Sequence, residues 1–255
     1  MFNKAALVAA ICAAVSFGCG PANENDEIVQ NLLQAGYPAS EISIVNGLVY
    51  AGGDAEVSLE ASREMIQNVS GTSEEQYRTT NLVGSGITKI CIVPTASFNS
   101  YSRLSAGLDG AISNYNGLGL QFRLARGSAS DCSATITAKT TSGVGGSSGF
   151  PKGGNPYGTI NIGVGLQNYS SGVNTHVVTH EIGHCVGMRH SDYYDRSISC
   201  GGAASNEGSA GVGAILIPGT PATAKPGGSV MNSCFTASES GNWTSTDKTA
   251  LQYLY

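Results

Sequence analysis

The stretch from Val177 to His190, VVTHEIGHCVGMRH, constrains this chain more than any other. It holds H-E-x-x-H extended to H-E-x-x-H-x-x-G-x-x-H, through His180, Glu181, His184, Gly187 and His190. In an α-helix, positions i and i+4 lie about 40° apart on one face, one turn along. His180 and His184 are therefore expected to converge on one cation from the same side. Zinc accepts imidazole nitrogen, and catalytic zinc sites keep three protein ligands and an open position. Glu181, beside the first ligand, is placed to act on a water rather than to bind the metal. Gly187 lets the chain leave the helix through a left-handed residue, so that His190 can return as third ligand. The chain has four histidines, and three fall on this pattern. The fourth, His176, lies eight residues before His184, about 12 Å of helix rise, so the two cannot share an ion. It reads as an exposed first-turn histidine.

The segment HEIGHCVGMRHSD resembles the active-site signature of the metzincin zinc endopeptidases. Its HEIGH wording resembles, more narrowly, the bacterial dual-action HEIGH metallopeptidases. Ser229-Val230-Met231-Asn232, with Met231 lying 41 residues beyond His190, is similar to the metzincin Met-turn. The resemblance implies an α+β fold, with a twisted sheet, an active-site helix, the Met-turn and a C-terminal helix. It implies one catalytic Zn2+, a polypeptide substrate and an edge strand pairing with substrate, for which Thr159–Gly163 and its preceding loop are the candidates. Related families place a Tyr two residues after the turn Met to assist the oxyanion. Ser233 stands there here, leaving Tyr193 and Tyr194 as candidates, while Asp192 reads either as orienting a ligand imidazole or as part of a surface turn.

Three regions follow along the chain. Residues 1–19 read as an export signal: Lys4, then an apolar run over 5–17 too short to cross a bilayer. Val15-Ser16-Phe17-Gly18-Cys19 resembles a lipobox, making Cys19 a lipidation candidate and the protein exported, either anchored to a bacterial envelope or extracellular; ordinary cleavage nearby is the alternative. Residues 20–76 read as a tether and a pro-segment, with a helix over 27–35, a hairpin over 42–51 turning at Asn46-Gly47 and a helix over 58–68 capped by Ser58. A spacer is the other reading of this module. Residues 77–255 read as the metzincin-like catalytic domain, with strands at 88–93, 120–124, 134–138 and 159–162. Helices are expected over 100–115, from about Asn174 and up to Leu254; residues 141–158 and 197–228 read as loops. The glycines and Glu207 of the second loop allow a Ca2+ site without establishing one.

Charged residues make up 12% of the 255 residues and the net charge is −5, which speaks against a nucleic-acid partner. A monomer is expected, with membrane contact only through a lipid at Cys19. Of the seven cysteines, Cys12 would leave with the signal, and five remain beyond Cys19 in a compartment that permits disulfides. Cys185 is paired in this reading with Cys200, Cys234 being the competing partner.

The alternative to an enzyme is a non-enzymatic surface lipoprotein using the same fold for binding. Retention of Glu181 discriminates against it, because a purely structural zinc needs a fourth protein ligand and no base. Ala51-Gly52-Gly53-Asp54 gives the pro-segment a means of restraint. A carboxylate oxygen can take zinc's open position, and two glycines before it let backbone enter a narrow cleft. Astacin pro-segments carry a similar Gly-Asp pair; a glycine-rich turn with an exposed Asp54 is the other reading.

Overall fold

The computed structural model describes residues 24–67, 76–208, 214–221 and 223–255. The export signal, Cys12 and Cys19 lie outside the described residues.

The N-terminal module starts with α1 (Glu24–Gln34), whose Glu24, Asp26 and Glu27 suit the positive end of its dipole. Strands β1 (Ile42–Val45) and β2 (Leu48–Ala51) form the expected hairpin, with Asn46 and Gly47 both left-handed at φ 52° and 80°. A second tight reversal through Gly52 and Gly53 leads to β3 (Ala55–Glu56), antiparallel to β2. Helix α2 (Leu59–Gln67) follows, the Ser58 hydroxyl accepting from Ala61 N at 3.2 Å. Leu32, Tyr37, Val49, Val57 and Met65 make this module's own small core, and Phe150 from the larger domain completes it.

The larger domain runs through β4 (Tyr77–Arg78), β5 (Lys89–Pro94), α3 (Ala96–Ser100), α4 (Ser102–Asn116), β6 (Arg123–Arg126) and β7 (Ala134–Thr141). It continues with β8 (Gly146–Gly149), β9 (Thr159–Gly163), α5 (Ser171–Cys185), α6 (Ser197–Cys200), β10 (Ile215–Leu216) and α7 (Ser245–Leu254). Alternation of strands and helices gives a mainly parallel arrangement. β5 is flanked in parallel by β6 and β7, β9 is parallel to β7, and β8 runs antiparallel to β9. β3 then adds in parallel to β8, so the module and the domain share one eight-stranded sheet in the order β1-β2-β3-β8-β9-β7-β5-β6. Ile90, Ile92, Ile136, Ile160 and Ile162 pack from the sheet into the main core. There α4 lies on α5 with Gly107 and Gly110 at the contact, where a Cβ would come within 2.8 Å of Asn174 and 2.5 Å of Thr175.

Two expectations need correction. β9 is interior, between β7 and β8, so it has no free edge for a substrate. The antiparallel edge strand of the larger domain is β8, inside the stretch read as a loop, and its outer side is taken by β3. Among the described residues the disulfides are Cys91–Cys132 and Cys200–Cys234, and Cys185 is a buried free thiol. Cys185 ends α5 with its thiol toward the Thr159 carbonyl on the sheet side. The loop after His190 is instead pinned to the segment following Met231.

Candidate metal centre

Helix α5 begins earlier than the sequence indicates because Ser170 caps it, its hydroxyl accepting from Val173 N at 3.2 Å. The helix carries His180 and His184 on one face with ring centroids 4.7 Å apart, and the chain leaves it where Gly187 turns left-handed at φ 99°. A Cβ at Gly187 would sit 2.5 Å from the Asn81 carbonyl, so only glycine fits this turn. The returning chain is fixed by Arg189 N donating to Tyr77 O at 2.7 Å, and His190 then faces the helix.

The Nε2 atoms of His184 and His190 lie 3.1 Å and 3.2 Å from that of His180. Each ring donates outward from Nδ1: His180 to Val230 O at 2.8 Å, His184 to Met188 O at 2.8 Å, His190 to Glu207 Oε1 at 2.6 Å. Carbonyls only accept, so Nδ1 of His180 and of His184 bears the proton and the Nε2 of each presents a lone pair inward. Lone pairs this close repel unless a cation stands among them. Three nitrogens about 2.05 Å from a tetrahedral zinc would lie about 3.3 Å apart, close to the observed spacing. The donor set therefore fits zinc.

Asp54 completes the cluster. Its Oδ2 is 3.2 Å from His190 Nε2 and its Oδ1 is 3.5 Å from His184 Nε2, while Oδ1 is buried with no hydrogen-bond partner. Among the described residues, Asp54, His180, His184 and His190 are the group whose ligating atoms gather within 4.8 Å. Burial alone would raise the Asp54 carboxyl, yet the facing imidazoles of His190 and His184 hold it well below the usual carboxylate range. Without a cation that attraction needs protons on the rings; a dipositive ion supplies it with none.

Glu181 lines the same cleft and accepts from Ser148 Oγ at 2.7 Å. Burial, and then the charge of Asp54, pushes its carboxyl up to about 8. Gly146 leaves room for it, since a Cβ there would lie 2.5 Å from Glu181 Oε1. Met231 is fully buried with its sulfur against Gly183, and Asp247 of α7 ties this turn by accepting from Val230 N at 3.0 Å and Ser229 Oγ at 2.5 Å.

Other sequence readings move. His176 is 5% exposed rather than on the surface, lying beside Phe235 and Glu239, and burial pushes its imidazole down to about 3. Asp192 touches no imidazole; it accepts from Ser199 Oγ and Ser233 Oγ, joining the two segments that the Cys200–Cys234 bond also joins. Tyr193 packs edge-on against Tyr77, and the Tyr194 hydroxyl accepts from Ala224 N, so neither phenol lines the cleft. Glu207, named for a calcium site, is 2% exposed and faces His190 and Arg189 instead. Its contact with His190 is a feature of the site to which no spacing in the sequence points.

Beside the metal cluster a cleft of about 240 Å³ runs between α5 and the segment after Met231, walled by Val144, His176, Val177 and Phe235. The model for the dual-action HEIGH metallo-peptidases matches residues 49–255. A comparison with curated proteins finds no match. Solved structures with some likeness include high choriolytic enzyme 1, a hatching-enzyme zinc protease from Oryzias latipes (medaka fish), at 17% identity and TM-score 0.42, covering 69% of this chain and 92% of that one. Myroilysin is similar at 15% identity and TM-score 0.39, covering 69% and 85%. The family match takes in most of β2, all of β3 and α2 and the whole larger domain: the chain belongs to the dual-action HEIGH metallo-peptidase family, and with it to the metal-dependent peptidases.

Proposed function

We propose that this protein is an exported zinc endopeptidase made as a latent precursor, and the observation that carries this is the convergence of three imidazole Nε2 atoms beside a buried Glu. His180, His184 and His190 would hold the zinc, which when bound polarises a peptide carbonyl and acidifies a water. Glu181 takes the proton from that water and hands it to the leaving amine, with no covalent intermediate. Ser148 keeps the Glu181 carboxylate aimed by its hydroxyl, from the edge strand along which an extended substrate would lie.

Residues 20–76 act as the restraint. β3 occupies the outer edge of β8, Ser148 N donating to Asp54 O at 3.0 Å, and the Asp54 carboxylate stands where the catalytic water belongs. Residues 20–76 contain no cysteine, so a cut at the end of the module would leave it held by non-covalent contacts alone. Cys19, if it carries the lipid that its sequence context invites, would leave the module on the envelope and the domain free. The substrate is a polypeptide; the low charge of the chain offers no surface for nucleic acid. Nothing in this reading requires calcium.

The test is hydrolysis of an unstructured peptide mixture by the protein freed of residues 20–76. Cleavage should disappear in a strong chelator and return with stoichiometric zinc. Cleavage that continues after the metal has been removed would contradict the proposal.

A further inference from the structure

The three histidines are oriented in different ways. His180 and His184 lean on backbone carbonyls in tight turns, whereas His190 leans on a side chain from a distant loop. That side chain, Glu207, is buried, and its Oε1 lies 2.6 Å from His190 Nδ1 and accepts from Ser233 Oγ at 3.3 Å, with the Arg196 guanidinium in an ion pair at 3.4 Å. Arg189 meets its Oε2 at 3.4 Å. Its backbone N donates to Tyr193 O at 2.7 Å. Metal affinity depends on such outer partners, because they fix the ring's orientation and tautomer.

The loop bearing Glu207 is in turn gripped by the N-terminal module. Glu41 accepts from Ser205 Oγ at 2.5 Å and from Arg196 Nη1 at 3.2 Å, so one carboxylate spans both sides of the loop. Gly52 of the same module lies against Glu207, where a Cβ would come within 2.8 Å of Oε2. Glu41 thus bears on Glu207 through Ser205 and Arg196, and Gly52 bears on it directly.

We propose that Glu207 is the positioning residue for His190, and that Glu41 holds Glu207 in place, so the N-terminal module strengthens zinc retention through the third ligand as well as through Asp54. This rests on the zinc reading of the three histidines. It makes loss of the module a change in the metal site and not only an opening of the cleft.

The test is the rate of zinc transfer from the full-length protein to an excess of chromogenic chelator, with the Co2+-loaded protein's visible spectrum as a second readout of coordination. Glu207→Ala should weaken zinc retention about 10- to 100-fold. Glu207→Gln, whose amide oxygen still accepts from Nδ1, should stay within a few-fold of wild type, a rescue that a merely structural role would not give. Glu41→Ala leaves Asp54 in place and should fall between the two, with an altered Co2+ spectrum. Should Glu207→Ala not fold, Glu207→Asp keeps the charge for Arg189 and Arg196 while retracting the oxygen, and faster zinc loss is again expected. Wild-type zinc retention in the folded Glu207 variants, with His180→Ala losing zinc, would overturn the inference alone. Unchanged retention in His180→Ala would overturn the zinc reading beneath it.

Discussion

Replacing Glu181 with Gln is expected to lower peptide hydrolysis by about 10²- to 10⁴-fold while the zinc content stays that of the wild type. The substitution keeps the shape and the hydrogen bond from Ser148 Oγ, since an amide oxygen accepts as a carboxylate does. What it removes is the ability to take a proton and release it again. No imidazole of the cluster depends on this side chain for its outer hydrogen bond: those go to Val230, Met188 and Glu207. Activity measured on the freed domain beside metal analysis checks both halves of the statement. Loss of zinc in Glu181→Gln would mean that base and ligand roles are misassigned.

Asp54→Ala in the uncut protein should raise activity about tenfold or more, about 1.4 kcal/mol or more of relieved inhibition. A tethered carboxylate competes for the metal at an effective concentration on the order of millimolar, which a dilute peptide cannot match. The alanine leaves the module's core residues, among them Val49, Val57 and Met65, untouched. It also takes away the charge that adds to burial in raising the Glu181 carboxyl. The gain should stop short of that obtained by removing residues 20–76, because β3 would still cover the edge of β8. An uncut wild type already as active as Asp54→Ala would end the idea of a carboxylate lock.

The ligand histidines were legible because a helix turns a spacing of four into a shared face, and the left-handed Gly187 turns the three residues up to His190 into a return path. The β1–β2 hairpin was legible for a similar reason, since Asn-Gly fixes the turn before any packing occurs. Strand β8 was not. Its sequence, Gly-Ser-Ser-Gly, carries no alternating apolar pattern, and it exists because β9 and β3 pair with it on either side. His176 was misplaced because spacing excludes it as a ligand without saying what covers its face, and Phe235 and Glu239 come from far along the chain. Disulfide connectivity and the Glu207 contact both depend on how the 197–228 stretch folds back across the site, and no local pattern encodes that return. The glycine pair before Asp54 was read as access to a narrow cleft; the structure adds Glu207 and Arg196 as the side chains packed against it.

Zinc K-edge X-ray absorption on the purified uncut protein tests the metal centre most directly, because it counts and identifies ligand atoms. Expected is one zinc per chain bound by three imidazole nitrogens and one carboxylate oxygen, all at about 2.0–2.2 Å, with the oxygen shell altered in Asp54→Ala. A sulfur shell at about 2.3 Å, or fewer than three imidazoles around the ion, would contradict a site built from His180, His184 and His190.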